Sequence, residues 1–183
     1  MNVAYINPFL SSTRSVFQTM MKVDLSLGSP ALKRPEDRLY KLYTLAAVIQ
    51  LTGAVTGVVA LLMSPTVAFS LGTALAKRPF TRVDDDLIDA LGEIANMIAG
   101  GAKTSLPGGG QVRISTPQVI PAHAVHHPPN VPVILLPFDS TAGRFVIETS
   151  LVPSAAQQPT PTAPAAPAGN VPTAAMAPSK AAA

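Results

Sequence analysis

The sequence predicts an α+β domain with two long helices packed on one mostly antiparallel sheet. Three observations carry that prediction. The stretch between Lys41 and Lys77 has no charged residue and alternates like a buried hairpin. Residues 84–103 repeat with the period of a helix. The remaining segments complete the order α, β, ββ, α, α, βββ, which sets strands beside strands and helices against them.

Asn7-Pro8 opens the first helix, with Asn as N-cap and Pro in the first turn. Phe9, Thr13, Val16, Phe17 and Met20 recur at helical spacing to about Lys22. Val23–Leu27 alternates and stops at Gly28, as a short strand does, and Ala31–Lys41 reads as a charged connection. In the hairpin, Tyr43, Leu45, Ala47, Ile49 and Leu51 share one side, Thr52-Gly53 marks the turn, and Val55–Met63 is the second strand. The competing reading is a membrane span at Leu42–Met63, which is long enough to cross a bilayer and carries a small-xxx-small pair, Gly53 and Gly57. The period of two, the internal turn and the lack of a cleavable leader favour strands and a cytoplasmic protein. Ser64-Pro65 starts the second helix, to about Ala76, and Asp84–Asp86 start the third, to about Lys103. Three strands follow: Gln111–Ser115 with or without an extension to Ile120, Val131–Leu136, and Arg144–Val152, with a turn at Asp139–Gly143. Phe145, Ile147, Thr149 and Leu151 share one face of the last strand.

Composition bounds the function. Of 183 residues, 48% are hydrophobic and 13% charged, and the mean hydropathy is +0.33. Part of that apolar excess is a tail. Residues 153–183 hold 12 Ala and 7 Pro with one charge, too little bulky apolar surface to offset the entropy of ordering, so the folded domain is residues 1–152 and the tail is read as disordered. With no cysteine there is no disulfide framework or thiolate metal site. A net charge of +3 does not by itself imply nucleic-acid binding. His123, His126 and His127 lie among prolines with no carboxylate nearby in sequence, which reads as a flexible loop and no metal site. Gly108–Gly110 lacks the following Lys-Ser/Thr of a phosphate loop.

Polar chemistry is concentrated in the third helix, where five of the ten acidic residues fall between Asp84 and Glu93. At about 100° per residue, Leu87, Leu91, Ile94 and Ile98 form a core stripe. Asp89, Glu93, Asn96 and Gly100 form a second stripe on the opposite side. Gly92 and Gly100 flank it, each costing helix stability of about 1 kcal/mol relative to Ala, and Asn is a poor mid-helix residue. A solvated face would explain the polar stripe alone; the glycines and the asparagine point to something approaching the backbone closely.

Ile6-Asn7-Pro8-Phe9, Leu51-Thr52-Gly53, the run from Gly92 through Glu93 and Asn96 to Gly100, and Pro137-Phe138-Asp139-Ser140-Thr141-Ala142-Gly143-Arg144-Phe145 together resemble the CheX branch of the CheC/CheX/FliY chemotaxis phosphatases. The resemblance spans nearly all of residues 1–152. The family signature, Asp or Ser, Glu four on and Asn three further, is met by Asp89, Glu93 and Asn96. A proline about twenty residues downstream belongs to it, and Pro117 is the nearest, at a slightly short spacing.

The resemblance implies a pseudo-duplicated CheC-like fold. It also implies a phosphatase acting on the aspartyl phosphate of a CheY-like receiver domain, in a chemotaxis or related two-component signal. On that reading Asn96 holds the attacking water, Glu93 pairs with the partner's active-site lysine, and Asp89, Gly92 and Gly100 belong to the docking surface. Mg²⁺ is expected on the partner and no cofactor on this chain. A homodimer built by joining sheets is expected, without nucleic-acid or membrane partners. Aligning Ser11, Ser15 and Gln18 with Asp89, Glu93 and Asn96 puts the first helix in register with the third and leaves a single Glu/Asn site. A module of the same fold that binds receivers without hydrolysis is the alternative.

Overall fold

The computed structural model describes residues 3–154. The Ala/Pro-rich segment read as a tail lies outside the described residues, apart from its first two. Pro153 ends the last strand, and the Ser154 N–H donates to the Ala54 carbonyl at 2.9 Å, so the ordered chain runs past Val152.

Helix α1 covers Asn7–Val16 and continues as one wide turn, Phe17–Met21, that ends on Lys22 in the left-handed region. Asn7 is not its cap. A 3₁₀ turn over Val3–Tyr5 feeds directly into the helix, Ile6 occupies the cap position, and no side chain caps it. Helix α2 is Pro65–Ala76, where Ser64 accepts from the Val67 N–H, and α3 is Asp85–Ser105, where Asp84 accepts from the Leu87 N–H at 3.0 Å. The strands are β1 (Leu25–Leu27), β2 (Ala31–Leu32), β3 (Leu45–Gly53), β4 (Val55–Met63), β5 (Val112–Ile114), β6 (Gln118–Pro121), β7 (Ile134–Ser140) and β8 (Phe145–Pro153).

All pairings are antiparallel, in the order β1-β7-β8-β4-β3-β5, with β2 also on β7 and β6 also on β3. Residues 42–63 are therefore a hairpin, and no helix among the described residues is long and apolar enough to cross a membrane. Gly53 and Gly57 serve the sheet. Both have positive φ (+97° and +142°), and a Cβ would strike the carbonyl oxygens of Gln111 and Ser150.

The sheet repeats itself. Leu25, Ser26, Leu27, Ala31 and Leu32 pair with Ser140, Asp139, Phe138, Leu135 and Ile134. The residues 87 further on, Val112, Arg113, Ile114, Gln118 and Val119, pair with Gly53, Thr52, Leu51, Val48 and Ala47, each 87 before those partners. The two halves, α1-β1-β2-β3-β4 and α3-β5-β6-β7-β8, are thus the same pairing scheme used twice, joined where β4 meets β8.

Each half also breaks its edge strand identically. Gly28-Ser29-Pro30 oppose only Leu136 and Pro137, and Ser115-Thr116-Pro117 oppose only Ile49 and Gln50. Each break is a one-residue bulge ending in a proline, which has no N–H to give to a ladder. This is why the strand expected to extend from Gln111 to Ile120 is two strands, and why the connection over Ala31–Lys41 begins with β2. Strand β7 starts three residues later than expected and runs into the turn, which is tightened by Ser140 Oγ donating to the Gly143 carbonyl at 2.8 Å.

The main core lies between the helices and one sheet face. Phe9, Phe17, Leu87, Leu91 and Ile94 are fully buried against Ile49, Leu51, Leu61, Leu136 and Ile147. Full burial of such side chains contributes about 1.5–3 kcal/mol each. Phe17, Phe145 and Phe138 stack with centroids 4.9 and 5.2 Å apart. A smaller cluster on the other face (Tyr43, Ala46, Ala60, Leu62, Ala122 and Val146) makes β8 buried on both sides rather than on the Phe145–Leu151 side alone.

Candidate functional site

Helix α3 is fixed at its start by Asp84, whose carboxyl the Leu87 N–H holds below the ordinary range. Arg78 pairs with Asp86 and lies over the Phe80 ring, 4.4 Å from its centroid, tying the α2–α3 connection to the first turn. From there the two stripes separate as the periodicity predicts. Leu87, Leu91, Ile94 and Ile98 are at most 2% exposed. Asp89 and Glu93 are exposed, and Asn96 and Gly100 are half-buried. The side chains of Asp89, Glu93 and Asn96 make no hydrogen bond or ion pair with any described residue. Two carboxylates and an amide therefore stand on one face with their hydrogen-bonding capacity free, and Glu93 and Asn96 are one helical turn apart.

The two glycines separate in role. Gly100 faces open space, with nothing within 4 Å of where a Cβ would be. Gly92 is buried, and the close approach expected there is made by this chain itself: the Pro117 Cγ lies 3.3 Å from the Cβ position. Gly92 therefore shapes the site from below instead of offering surface to a partner.

On α1 the aligned residues Ser11, Ser15 and Gln18 are also exposed. With Arg14, Leu25, Leu27 and Phe138 they line a groove of about 510 Å³ that holds no carboxylate.

One polar cluster joins residues far apart in the chain. His127 is not in a free loop. Its Nε2 lies 2.6 Å from Glu148, whose other oxygen accepts from Lys33 Nζ at 2.6 Å. Glu148 is wholly buried on the sheet face away from the helices. Burial pushes its carboxyl up, but hydrogen bonds from His127 and Lys33 and their charges outweigh it, and the net shift is downward. The sequence signal was there: Glu148 is the one charge in the apolar run 145–152. His123 and His126 remain exposed, and no group of three or more metal-ligating side chains occurs among the described residues.

Residues 45–139, more than half of the chain and including all of α3, match the family described as chemotaxis phosphatase CheX. The chain belongs to the CheX family. The fold agrees throughout. CheX from Desulfovibrio desulfuricans superposes with a TM-score of 0.71 at 28% identity, over 81% of this chain and 99% of that one. A CheC-like superfamily protein from Shewanella sp. PV-4 gives 0.72 at 29%, over 83% and 99%. The chain in the CheX–CheY–BeF3–Mg²⁺ complex from Borrelia burgdorferi shares the fold, with a TM-score of 0.68 at 23% identity over 82% and 99%. No curated protein sequence matches the chain.

Proposed function

We propose that this CheX-family protein hydrolyses the aspartyl phosphate of a CheY-like receiver domain and so ends a chemotaxis or related signal. The observation that carries the reading is the pairing of Glu93 and Asn96 one turn apart on one face of α3, with no hydrogen-bond or ion-pair partner among the described residues. The acid-labile bond, the Mg²⁺ and a lysine are the receiver's; what remains to be supplied is placement of water. The Asn96 amide, which cannot titrate, accepts and donates to that water and holds it in line with the phosphorus. Glu93, exposed at the same face, pairs with the receiver's lysine, and Asp89 extends the acidic rim one turn back. The Borrelia burgdorferi relative, in complex with CheY, BeF3 and Mg²⁺, supports a receiver as the partner class. We place the protein in the cytoplasm, acting as a homodimer.

The test is decay of a phosphorylated receiver with and without the protein. Accelerated decay that Asn96→Ala abolishes supports the reading. Binding to the receiver without acceleration would make this a docking module of the same fold.

A further inference from the structure

Along α1, Asn7, Ser11 and Arg14 lie within about 60° of one another around the axis, and Ser15 and Gln18 carry the stripe on toward Met21. The side chains of all five make no hydrogen bond or ion pair with any described residue. Arg14 is exposed, and it is the only charged residue among the described residues that line the groove beside α1. Its charge is not spent on the end of its own helix. The backbone runs on in helical turns to Met21, and a helix dipole acts only within the last turn.

The opposite wall is apolar. Leu25 and Leu27 of β1 and Phe138 of β7 line it, with Leu10 of α1 beside them. Side chains alternate across a strand, so Ser26 and Asp139, which pair with each other, lie on the other face of the sheet. The Asp139 carboxylate is taken there by Arg144 at 2.7 Å. The apolar wall is left uncovered: Leu25 is half-buried and Leu27 is 39% exposed, whereas Val112, 87 residues after Leu25, is 1% exposed. At the positions that match this stripe, α3 carries Asp89, Gly92, Glu93 and Asn96. The two helix faces thus have opposite charge, and an anion repelled by α3 is received by α1.

We propose that the α1 groove binds small amphipathic anions, molecules with one carboxylate or phosphate head and a short apolar body. The groove encloses about 510 Å³, within the range of small-ligand sites. The guanidinium of Arg14 offers two parallel N–H groups, the geometry that both kinds of head accept. Ser11 and Ser15 donate to the remaining oxygens. The body lies along Leu25, Leu27 and Phe138, where its burial removes apolar surface from water.

The test is titration of the full chain, followed by amide NMR, with octanoate, octyl phosphate, octanol and acetate. Octanoate, octyl phosphate or both are expected to shift the amides of α1 and β1 saturably, and which of them binds tighter identifies the head. Octanol and acetate, each lacking one half of the molecule, are expected to bind at least about tenfold more weakly. Arg14→Ala is expected to weaken binding about tenfold; Arg14→Lys, which keeps the charge without the fork, recovers part of the loss. Arg14 is exposed and unpartnered, so these variants keep the fold. The absence of a saturable shift with either amphiphile, or equal binding by wild type and Arg14→Ala, overturns the assignment. Octanol binding as tightly as octanoate also overturns it, since the groove would then be an apolar cleft with no use for its arginine. A synthetic acidic peptide that shifts the same amides while both amphiphiles are silent would give the groove to a protein partner instead. None of these readouts involves receiver dephosphorylation, so they stand or fall separately from the phosphatase reading.

Discussion

The two halves of this molecule have the same backbone pairing and opposite surfaces. In both, a helix lies on the sheet, a broken edge strand follows, and the break ends in a proline, Pro30 in one half and Pro117 in the other, 87 residues apart. Matching the helices by burial sets Phe9, Thr13, Val16, Phe17 and Met21 against Leu87, Leu91, Ile94, Ala95 and Ala99, all of them buried. The outward faces then differ at each working position: Ser11, Arg14, Ser15 and Gln18 against Asp89, Gly92, Glu93 and Asn96. The difference at Arg14 and Gly92 matters most. On α3, Pro117 of the bulge lies against Gly92, whereas on α1 the matching residue is Arg14, which lines an open groove. Backbone hydrogen bonding built the frame twice, and the exposed side chains of the two helices are what set the copies apart.

The strongest way to probe that asymmetry is at the seam. Shifted by 88 residues, the β4 counterpart of Glu148 is Ala60, its direct neighbour across the β4–β8 ladder. Glu148→Ala makes the seam alike on both sides. Removing one member of a buried charge cluster costs about 3–5 kcal/mol. The lower end, about 3 kcal/mol, is expected because Lys33 is 27% exposed and can turn to water. Thermal denaturation should show a fall of about 6–12 °C.

Next is the face itself. Asn96→Ala should reduce acceleration of receiver dephosphorylation by about 100-fold, while Gln18→Ala leaves it unchanged; an equal loss from both would mean that the halves share the work. Third is pH. Glu148 titrates below its unfolded value, so its contribution is complete above the ordinary glutamate pKa, about 4.3, and is lost as pH falls through the lower folded value. The melting-temperature gap between wild type and Glu148→Gln should narrow as pH falls below about 4. The smallest effect is expected from Ser15→Glu with Gln18→Asn, which copies the pair onto α1. With Arg14 in place of a glycine seat, no second site forms, and turnover per chain stays within about twofold.

The hairpin and α3 could be read from the chain because their signals are local: a period of two without charges, and a period of 3.6 with an acidic cap. Glu93 and Asn96 were legible for the same reason, since one helical turn relates them. The Gly92–Pro117 contact was not, because it joins residues 25 apart through a bulge whose pairing depends on β3. Nor was β2, two residues long and specified by its partner β7 rather than by its own composition. His127 looks free in the sequence because its carboxylate arrives 21 residues later from a strand. The wide turn at Phe17–Met21, which leaves Met20 48% exposed although it fits the helical period, has no local sequence signal.

The broken edges have a consequence for association. An unpaired strand is a template for another chain, and long flat edges invite open-ended stacking. Here each outer edge offers two short lengths, Leu25–Leu27 and Ala31–Leu32 on one side and Val112–Ile114 and Gln118–Pro121 on the other, kinked between them and ending the ladder at a proline. A second copy joining edge to edge would find only a few backbone bonds before its register failed. A dimer joined at these edges would therefore draw its affinity from side chains around them, Leu27 and Leu32 being exposed there. Growth beyond a pair is disfavoured by the same kink.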